Sequence, residues 1–187
     1  GDIEKIMTRT INGKDIPIPL KKELVGQIPS LKKQNLKHIQ YAEKSIQDLF
    51  KPEVLEKAMT REYNYCKSAV AINNGGGQYT LVELPKEVQF APVKAIYCTD
   101  LNGDGKKDLL LGGNDYGFMP QFGRSDASFG HVLLNRGSGN FEWIKNRESG
   151  FFVRGEIKQL VPMTVKGQKH LLTLINNKPP LYFTLNN

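Results

Sequence analysis

Two stretches of the sequence repeat one pattern at an offset of 62 residues: 70-VAINNGGGQYTL-81 and 132-VLLNRGSGNFEW-143. In each copy an apolar run leads into Asn and glycines, and an aromatic residue opens a second run. This order of residues is typical of a β-hairpin whose turn is formed by Asn and Gly. The sequence therefore predicts a mainly β fold built from repeated hairpins.

The repeat continues past the hairpins. The run 93-VKAI-96 matches 157-IKQL-160, and 109-LLLGGN-114 matches 171-LLTLIN-176. Between these anchors the second copy is two residues shorter and reads 161-VPMTVKGQK-169, which contains no carboxylate. A period of this size with about four strands per unit is typical of β-propeller blades.

The first copy carries an acidic loop, 99-TDLNGDGKKDLLLGGN-114, between predicted strands at 93–99 and 109–113. Side-chain oxygens recur at loop positions 1, 3, 5 and 9, and position 7 offers a backbone carbonyl. The five candidate ligands are Asp100, Asn102, Asp104, Lys106 (through its carbonyl) and Asp108. An all-oxygen set of this kind suits calcium better than magnesium, and the absence of His and Cys disfavours zinc.

This loop departs from the EF-hand pattern that its first half matches. An EF-hand needs a bidentate Glu at position 12, where this chain has Leu111, and it needs flanking helices. We therefore expect a strand–loop–strand calcium site. The alternative is a solvated acidic turn without an ion, and we favour calcium because three adjacent carboxylates repel one another unless a cation or protons intervene.

The expected organisation is a single propeller-like module over residues 1–187. Within it, 1–18 is the end of a preceding β unit, 20–60 a helical insertion, 61–123 a blade with the calcium loop, and 124–187 a blade with a degenerate loop. The insertion is predicted to contain one helix over 38–50, because five apolar residues share a face at helical spacing: Ile39, Ala42, Ile46, Leu49 and Phe50. Ser30 is expected to cap a short helix over 31–36, Pro52 to open another over 52–59, and Asn12-Gly13 to form a turn.

Composition excludes some classes of function. The chain has 187 residues and a net charge of +7, but the basic residues are spread out and form no run that indicates a nucleic-acid surface. No apolar run reaches the length of a membrane span. The Gly-Asp start resembles a processed or engineered end. Cys66 and Cys98 are predicted to be two buried thiols, with one disulfide as the alternative if their Cα atoms approach closely.

Few residues point to catalysis. The three histidines, His38, His131 and His170, are scattered, and no G-x-S-x-G nucleophile pattern occurs. The long connection 112–130 combines aromatic residues with Arg124 and Asp126. It could bind a sugar or a peptide, but we favour a loop pinned by an Arg124–Asp126 pair.

The loop 100–114 and the repeated hairpins resemble the FG-GAP/VCBS repeat of integrin α-subunit propellers and of many bacterial surface proteins. The runs 119–141 and 148–160 resemble the C-terminal blades of VCBS repeat proteins from Bacteroidetes-type bacteria, and 28–50 resembles an insertion in those same proteins. The resemblance implies an incomplete propeller with calcium held between two strands of a blade by the five ligands named above. Asn102 stands where integrin-type loops often have Asp, which should weaken binding.

We therefore expect a non-enzymatic, extracellular, periplasmic or cell-surface module that binds protein or carbohydrate, with self-association through exposed blade edges and without nucleic acid or a transmembrane segment. The alternatives are a calcium-dependent, hydrolase-associated enzyme domain and a calcium sensor. The absence of a nucleophile–base motif argues against the enzyme, and the absence of paired EF-hands argues against the sensor.

Overall fold

The computed structural model describes residues 4–185, and these residues are mainly β, with several small antiparallel sheets and short helices. The chain divides into two compact units, residues Gly1–Tyr63 and Asn64–Asn187. This division differs from the single module expected over 1–187. The predicted end of a preceding β unit (1–18) and the predicted insertion (20–60) belong to one unit of their own.

The first unit begins with a hairpin of β1 (Thr8–Ile11) and β2 (Lys14–Pro17). Its turn is Asn12-Gly13, as predicted. Both residues have positive φ (50° and 73°), as in the two-residue hairpin turns that fit the right-handed twist of the strands. Five short helices follow: α1 (Lys21–Gln27), α2 (Leu31–Gln34), α3 (His38–Ala42), α4 (Ile46–Leu49) and α5 (Pro52–Leu55). Their core consists of four buried residues, Leu24, Leu31, Tyr41 and Leu49.

The prediction of one helix over 38–50 is wrong. The chain leaves the helix after Ala42 and starts a new one at Ile46, because Asp48 accepts hydrogen bonds from both the backbone N–H (2.9 Å) and the hydroxyl (2.7 Å) of Ser45. Ile39, which was assigned to the buried face, is 61% exposed. The helices after Ser30 and from Pro52 begin where predicted, although both are shorter than expected. The Ser30 side chain makes no capping hydrogen bond to α2.

The second unit holds nine strands in three antiparallel sheets. The strands are β3 (Ala69–Gly75), β4 (Gln78–Glu83), β5 (Val93–Thr99), β6 (Asp108–Gly113), β7 (His131–Gly137), β8 (Asn140–Ile144), β9 (Ile157–Val165), β10 (Gln168–Ile175) and β11 (Leu181–Thr184), with helix α6 (Asn146–Ser149) between β8 and β9. The sheets are β3-β4, β5-β6-β7-β8 and β9-β10-β11. The four-stranded sheet crosses the predicted boundary at 123/124, since β7 pairs with β6.

The repeated sequences pair in the same register. Asn73 lies opposite Tyr79 and Gly75 opposite Gln78; 62 residues later, Asn135 lies opposite Phe141 and Gly137 opposite Asn140. Each hairpin has its bulge at the same place, where the Asn side chain accepts the N–H of the Gly two residues on (2.8 and 2.9 Å). The shared Asn and Gly therefore have one structural role in both copies.

The β5–β6 and β9–β10 hairpins match in the same way. Val93 pairs with Gly113 as Ile157 pairs with Ile175, and each pair is followed by a one-residue bulge. The β9–β10 turn is a tight one at Lys166-Gly167, where both φ values are positive (50° and 83°). The carboxylate-free segment is thus the plain turn that was predicted.

The three sheets of the second unit pack face to face. Leu109, Leu111 and Leu133 on one face of β5–β8 form a core with Val70 of β3. The opposite face forms a second core with residues of β9 and β10, in which Ile157 and Leu171 are nearly inaccessible. Gly112 permits this close approach, because a Cβ there would lie 2.7 Å from Cβ of Ile157.

Two further predictions concern cysteines and membranes. Cys66 and Cys98 are both exposed and free, so the prediction of buried thiols is wrong. Cys66 lies outside any strand, in the segment before β3. Cys98 lies on edge strand β5 opposite Leu109, and its side chain is exposed although Leu109 is buried. Among the described helices none is long and apolar enough to cross a membrane.

Candidate metal centre

The acidic loop joins two neighbouring strands of the four-stranded sheet. β5 ends at Thr99 and β6 begins at Asp108, as the sequence predicted for a strand–loop–strand arrangement. Gly103 and Gly105 have φ of 76° and 81°, a left-handed conformation that favours glycine. These two positions curl the loop so that its backbone N–H groups turn towards its own acidic side chains.

Asp100 is the residue around which the loop closes. Its Oδ1 accepts the N–H of Gly103 (2.8 Å) and its Oδ2 the N–H of Gly105 (2.9 Å). The Gly105 N–H is the main cause that lowers the pKa of Asp100, while partial burial and the nearby charge of Asp104 oppose it. Asp100 and Asp104 thus lie close enough for one charge to affect the other.

Asp104 is held by its neighbours at alternate positions. Its Oδ1 accepts the N–H of Lys106 (2.9 Å), and its own N–H donates to Oδ1 of Asn102 (3.1 Å). The Lys106 ammonium lies 3.2 Å from Oδ2 of Asp104. The Lys106 N–H is the main cause that lowers the pKa of Asp104, so the loop favours a charged carboxylate here. The lysine supplies the positive charge nearest to this carboxylate.

Asp108 has a different environment. It is fully buried, and its two oxygens accept the N–H groups of Leu101 and Asn135, both at 2.8 Å. Asn135 in turn donates from its side chain to the carbonyl of Lys107 (3.1 Å). Asp108 therefore ties the acidic loop to β7, which the sequence analysis, treating it only as a ligand, did not predict.

The donors fit a hard cation in their chemistry. Four side chains offer oxygen, and a carboxylate oxygen that accepts one N–H keeps a further acceptor position. Within residues 4–185, however, no group of three or more His, Cys, Asp and Glu side chains is gathered as a ready metal site. Asp100, Asn102 and Asp104 surround the exposed part of the loop, whereas Asp108 lies at its buried base.

A second polar cluster, centred on Asn114 directly after β6, was not predicted from the sequence. Asn114 is fully buried with φ of 77°, and its side chain bonds Ser128 N–H, Ser128 C=O and Gly155 C=O at 2.7–2.8 Å. Ser128 Oγ lies 3.0 Å from Nε2 of His131, and burial lowers the pKa of His131. The only signal was the Gly-Gly-Asn end of the strand, since Asn tolerates positive φ. Ser128 and His131 are at most 5% exposed, so a ligand cannot reach them. The cluster therefore serves to hold the segments around residues 128 and 155 against the end of β6.

The connection 112–130 is pinned through Tyr116. Its hydroxyl donates to Asp126 (2.7 Å), and the Arg124 guanidinium lies over its ring, 4.9 Å from the centroid. Burial, followed by this hydrogen bond, raises the pKa of Tyr116 to about 12. Among the described residues Arg124 and Asp126 do not form the predicted ion pair with each other. Each contacts Tyr116 instead, so the loop is pinned through that ring.

Comparison of the chain with protein-family models, with curated proteins and with solved structures finds no match. The mainly β architecture follows from the strands themselves. The likeness to FG-GAP/VCBS repeats stays a hypothesis that rests on the loop, the hairpins and their registers.

Proposed function

We propose that this chain is a non-enzymatic calcium-binding β-repeat module of the FG-GAP/VCBS type, which works outside the cytoplasm of a bacterium as a structural or interaction element. One calcium would be held at the 100–108 loop and would stiffen the connection between β5 and β6. Loops of the second unit would then contact a protein or a glycan. The geometry of the acidic loop carries this proposal.

The loop offers a partly ordered set of oxygens. Backbone N–H groups already orient Asp100 and Asp104, which lowers the entropy cost of arranging them around an ion. Asn102 and the Lys106 carbonyl would add neutral oxygens, as calcium sites commonly use. Asp108, fixed at the base by Leu101 and Asn135, would contribute through its remaining acceptor positions.

The equal registers of the two hairpin pairs support the repeat part of the proposal. An FG-GAP-type propeller repeats a four-stranded blade, and β5–β8 is one such four-stranded antiparallel sheet. The buried position of the Ser128–His131 contact supports a non-enzymatic role, since a substrate has no access to either side chain. No feature of the described residues favours the enzyme alternative.

Isothermal titration with calcium and with magnesium, followed by thermal melts in calcium and in chelator, tests the proposal. Calcium should bind and raise the melting temperature, by the equivalent of about 2.7 kcal/mol at a hundredfold excess over the dissociation constant. Asp104→Asn should weaken binding strongly. Glu53→Gln, at an exposed carboxylate of α5, is the control that removes one negative charge away from the loop. Absence of calcium binding, or equal loss in both variants, would contradict the proposal.

A further inference from the structure

The segment that connects the two compact units is exposed along its whole length. The boundary between the units lies between Tyr63 and Asn64. Residues 56–67 are all exposed, and residues 59–66 belong to no helix, strand or turn. Even the large apolar side chains here contact little of the protein, since Met59 is 82% and Tyr63 83% exposed. The whole segment is therefore accessible to another protein.

The backbone of this segment is free of hydrogen bonds over nine residues. The last hydrogen bond before it joins the N–H of Ala58 to the carbonyl of Leu55 (3.0 Å). The first one after it joins the N–H of Ser68 to Oε1 of Gln89 (2.8 Å). Between them, no backbone N–H or C=O of residues 59–67 has a partner among the described residues. Such a backbone can form hydrogen bonds with a second protein, which is how an extended peptide is bound along an exposed strand.

Arg61 is the basic residue that lies inside this unbonded backbone, with residues 62–67 still to follow. Lys57 lies in the turn after α5, and the N–H of the next residue is already bonded. Lys67 forms an ion pair with Glu83 (2.7 Å) and directly precedes a bonded residue. Arg61 can therefore present unbonded chain on both sides of its own carbonyl.

We propose that the Arg61–Glu62 peptide bond is a proteolytic processing site for an endopeptidase that recognises a basic residue in an extended substrate. Water is the co-reactant of the hydrolysis. The C–N bond between the two residues breaks, Arg61 gains a carboxylate and Glu62 gains an amino group. The products are residues 1–61 and 62–187. The proposal depends neither on calcium nor on the proposed function.

Each product keeps its own hydrophobic core. The core of the first unit is formed by residues between 6 and 50, and the two cores of the second unit by residues between 70 and 185. The bond that is cut lies outside every helix and strand of the described residues. Cleavage should therefore leave the secondary structure of both products intact, which distinguishes processing from degradation.

Other exposed basic residues lie in hydrogen-bonded backbone. Arg124, in the long connection between β6 and β7, is followed by Ser125, whose N–H and carbonyl both pair with Asp115 (3.0 and 2.9 Å). In the acidic loop, the backbone N–H of Lys106 donates to Asp104 (2.9 Å). A protease can cut at such a site only after the segment has opened locally, which costs free energy.

Limited proteolysis of the complete chain with trypsin, which cleaves after Lys and Arg, tests the proposal when the products are weighed by mass spectrometry. Between β1 and β11 the first cut should fall after Arg61, and the circular dichroism spectrum should not change. Arg61→Gln should slow the first cut at least about tenfold, because the remaining basic residues lie in or beside hydrogen-bonded backbone. Arg124→Gln, the matched control, removes the same charge from the long connection and should leave the rate unchanged.

Chymotrypsin, which cleaves after aromatic residues, gives a test that does not depend on Arg61. Its first cut between β1 and β11 should fall within residues 59–65, which contain Tyr63 and Tyr65. The comparison sites are Phe118 and Phe122, which are 48% and 55% exposed but lie in the connection pinned by Tyr116.

First cuts within the connecting segment by both enzymes, with the trypsin cut lost in Arg61→Gln, would support the proposal. A first cut elsewhere between β1 and β11 by either enzyme would overturn it. So would equal trypsin rates for the wild type and Arg61→Gln. A cut chain that loses its circular dichroism signal would also overturn it, since the cleavage would then be degradation.

Discussion

In the presence of a chelator, Asp108→Ala should destabilise the second unit by up to about 6 kcal/mol. The fully buried carboxylate accepts the N–H groups of Leu101 and Asn135, and the substitution leaves both without an acceptor. An N–H that loses its acceptor costs about 1–3 kcal/mol when it is shielded from water, and because both hydrogen bonds are only partly buried the sum of the two, about 2–6 kcal/mol, is an upper limit.

Asp108→Asn should cost about half as much. Its amide oxygen can accept one of the two N–H groups, whereas its NH₂ group, itself a donor, would face the other. The order of unfolding free energies should therefore be wild type, Asp108→Asn, Asp108→Ala. This order depends on both hydrogen bonds at 2.8 Å being present in the folded protein.

Urea denaturation in the presence of a chelator measures these free energies without a contribution from calcium. Asp104→Ala is the matched control, because this exposed carboxylate should change stability by no more than about 1 kcal/mol in chelator. A loss below about 1 kcal/mol for Asp108→Ala would refute the reasoning, since the two N–H groups would then have found other acceptors.

Three further predictions concern the loop, the buried histidine and the sheet packing. Lys106→Gln should tighten calcium binding by up to about fivefold in titration calorimetry, because the ammonium that competes for Asp104 is lost and an exposed ion pair is worth about 0–1 kcal/mol. His131 has a folded pKa below its unfolded value of 6.5, so the unfolded chain takes up the proton first and urea stability should fall as the pH drops below 6.5. Gly112→Ala should cost about 1–3 kcal/mol in the same denaturation, since its Cβ would overlap Ile157.

Each of these has a matched control. Lys107→Gln removes the same charge without an ion pair to Asp104 and should leave calcium affinity nearly unchanged; equal tightening in both lysine variants would assign the effect to net charge. His131→Gln should abolish the fall in urea stability below pH 6.5. His38→Gln, the control at an exposed position, should retain it. Adding Ile157→Ala to Gly112→Ala should give a favourable coupling energy of about 0.5–3 kcal/mol, and simple additivity would contradict the predicted overlap.

The local strand structure could be predicted because it depends on residues close in sequence. β5 was predicted at its observed bounds, Val93–Thr99, and the Asn and Gly positions located both repeated hairpins. In these segments the β-branched runs and the turn residues favour the same structure. The acidic loop was placed between the correct strands for the same reason.

The helices were harder because apolar spacing does not show where a helix stops. The pattern over 38–50 has helical periodicity, yet Ser45 and Asp48 form a capping pair in its middle. This Ser-x-x-Asp sequence is a helix-start signature and was the available signal. The Asp48 carboxylate accepts the N–H of Ser45, the residue just before α4, and so allows the chain to begin a new helix there.

The burial of the cysteines could not be predicted from neighbouring residues in the sequence. Cys98 lies in a correctly predicted strand, but whether it is buried depends on what packs over that strand. Strand type is a local property, whereas burial depends on a second sheet that is distant in sequence. The same limit hid the contact of Asp108 with Asn135, 27 residues further along the chain.

By itself, the sequence determined the hairpins, their turns and the oxygen-rich chemistry of the 100–108 loop, because these depend on side chains and backbone within a few residues of one another. Only the tertiary structure decided that Asp108 is a buried clamp and that Asn114 fastens three segments. The physical reason is burial. A polar side chain such as that of Asp108 becomes an internal anchor when strands distant in sequence exclude water from it, because a buried polar group must then be hydrogen-bonded.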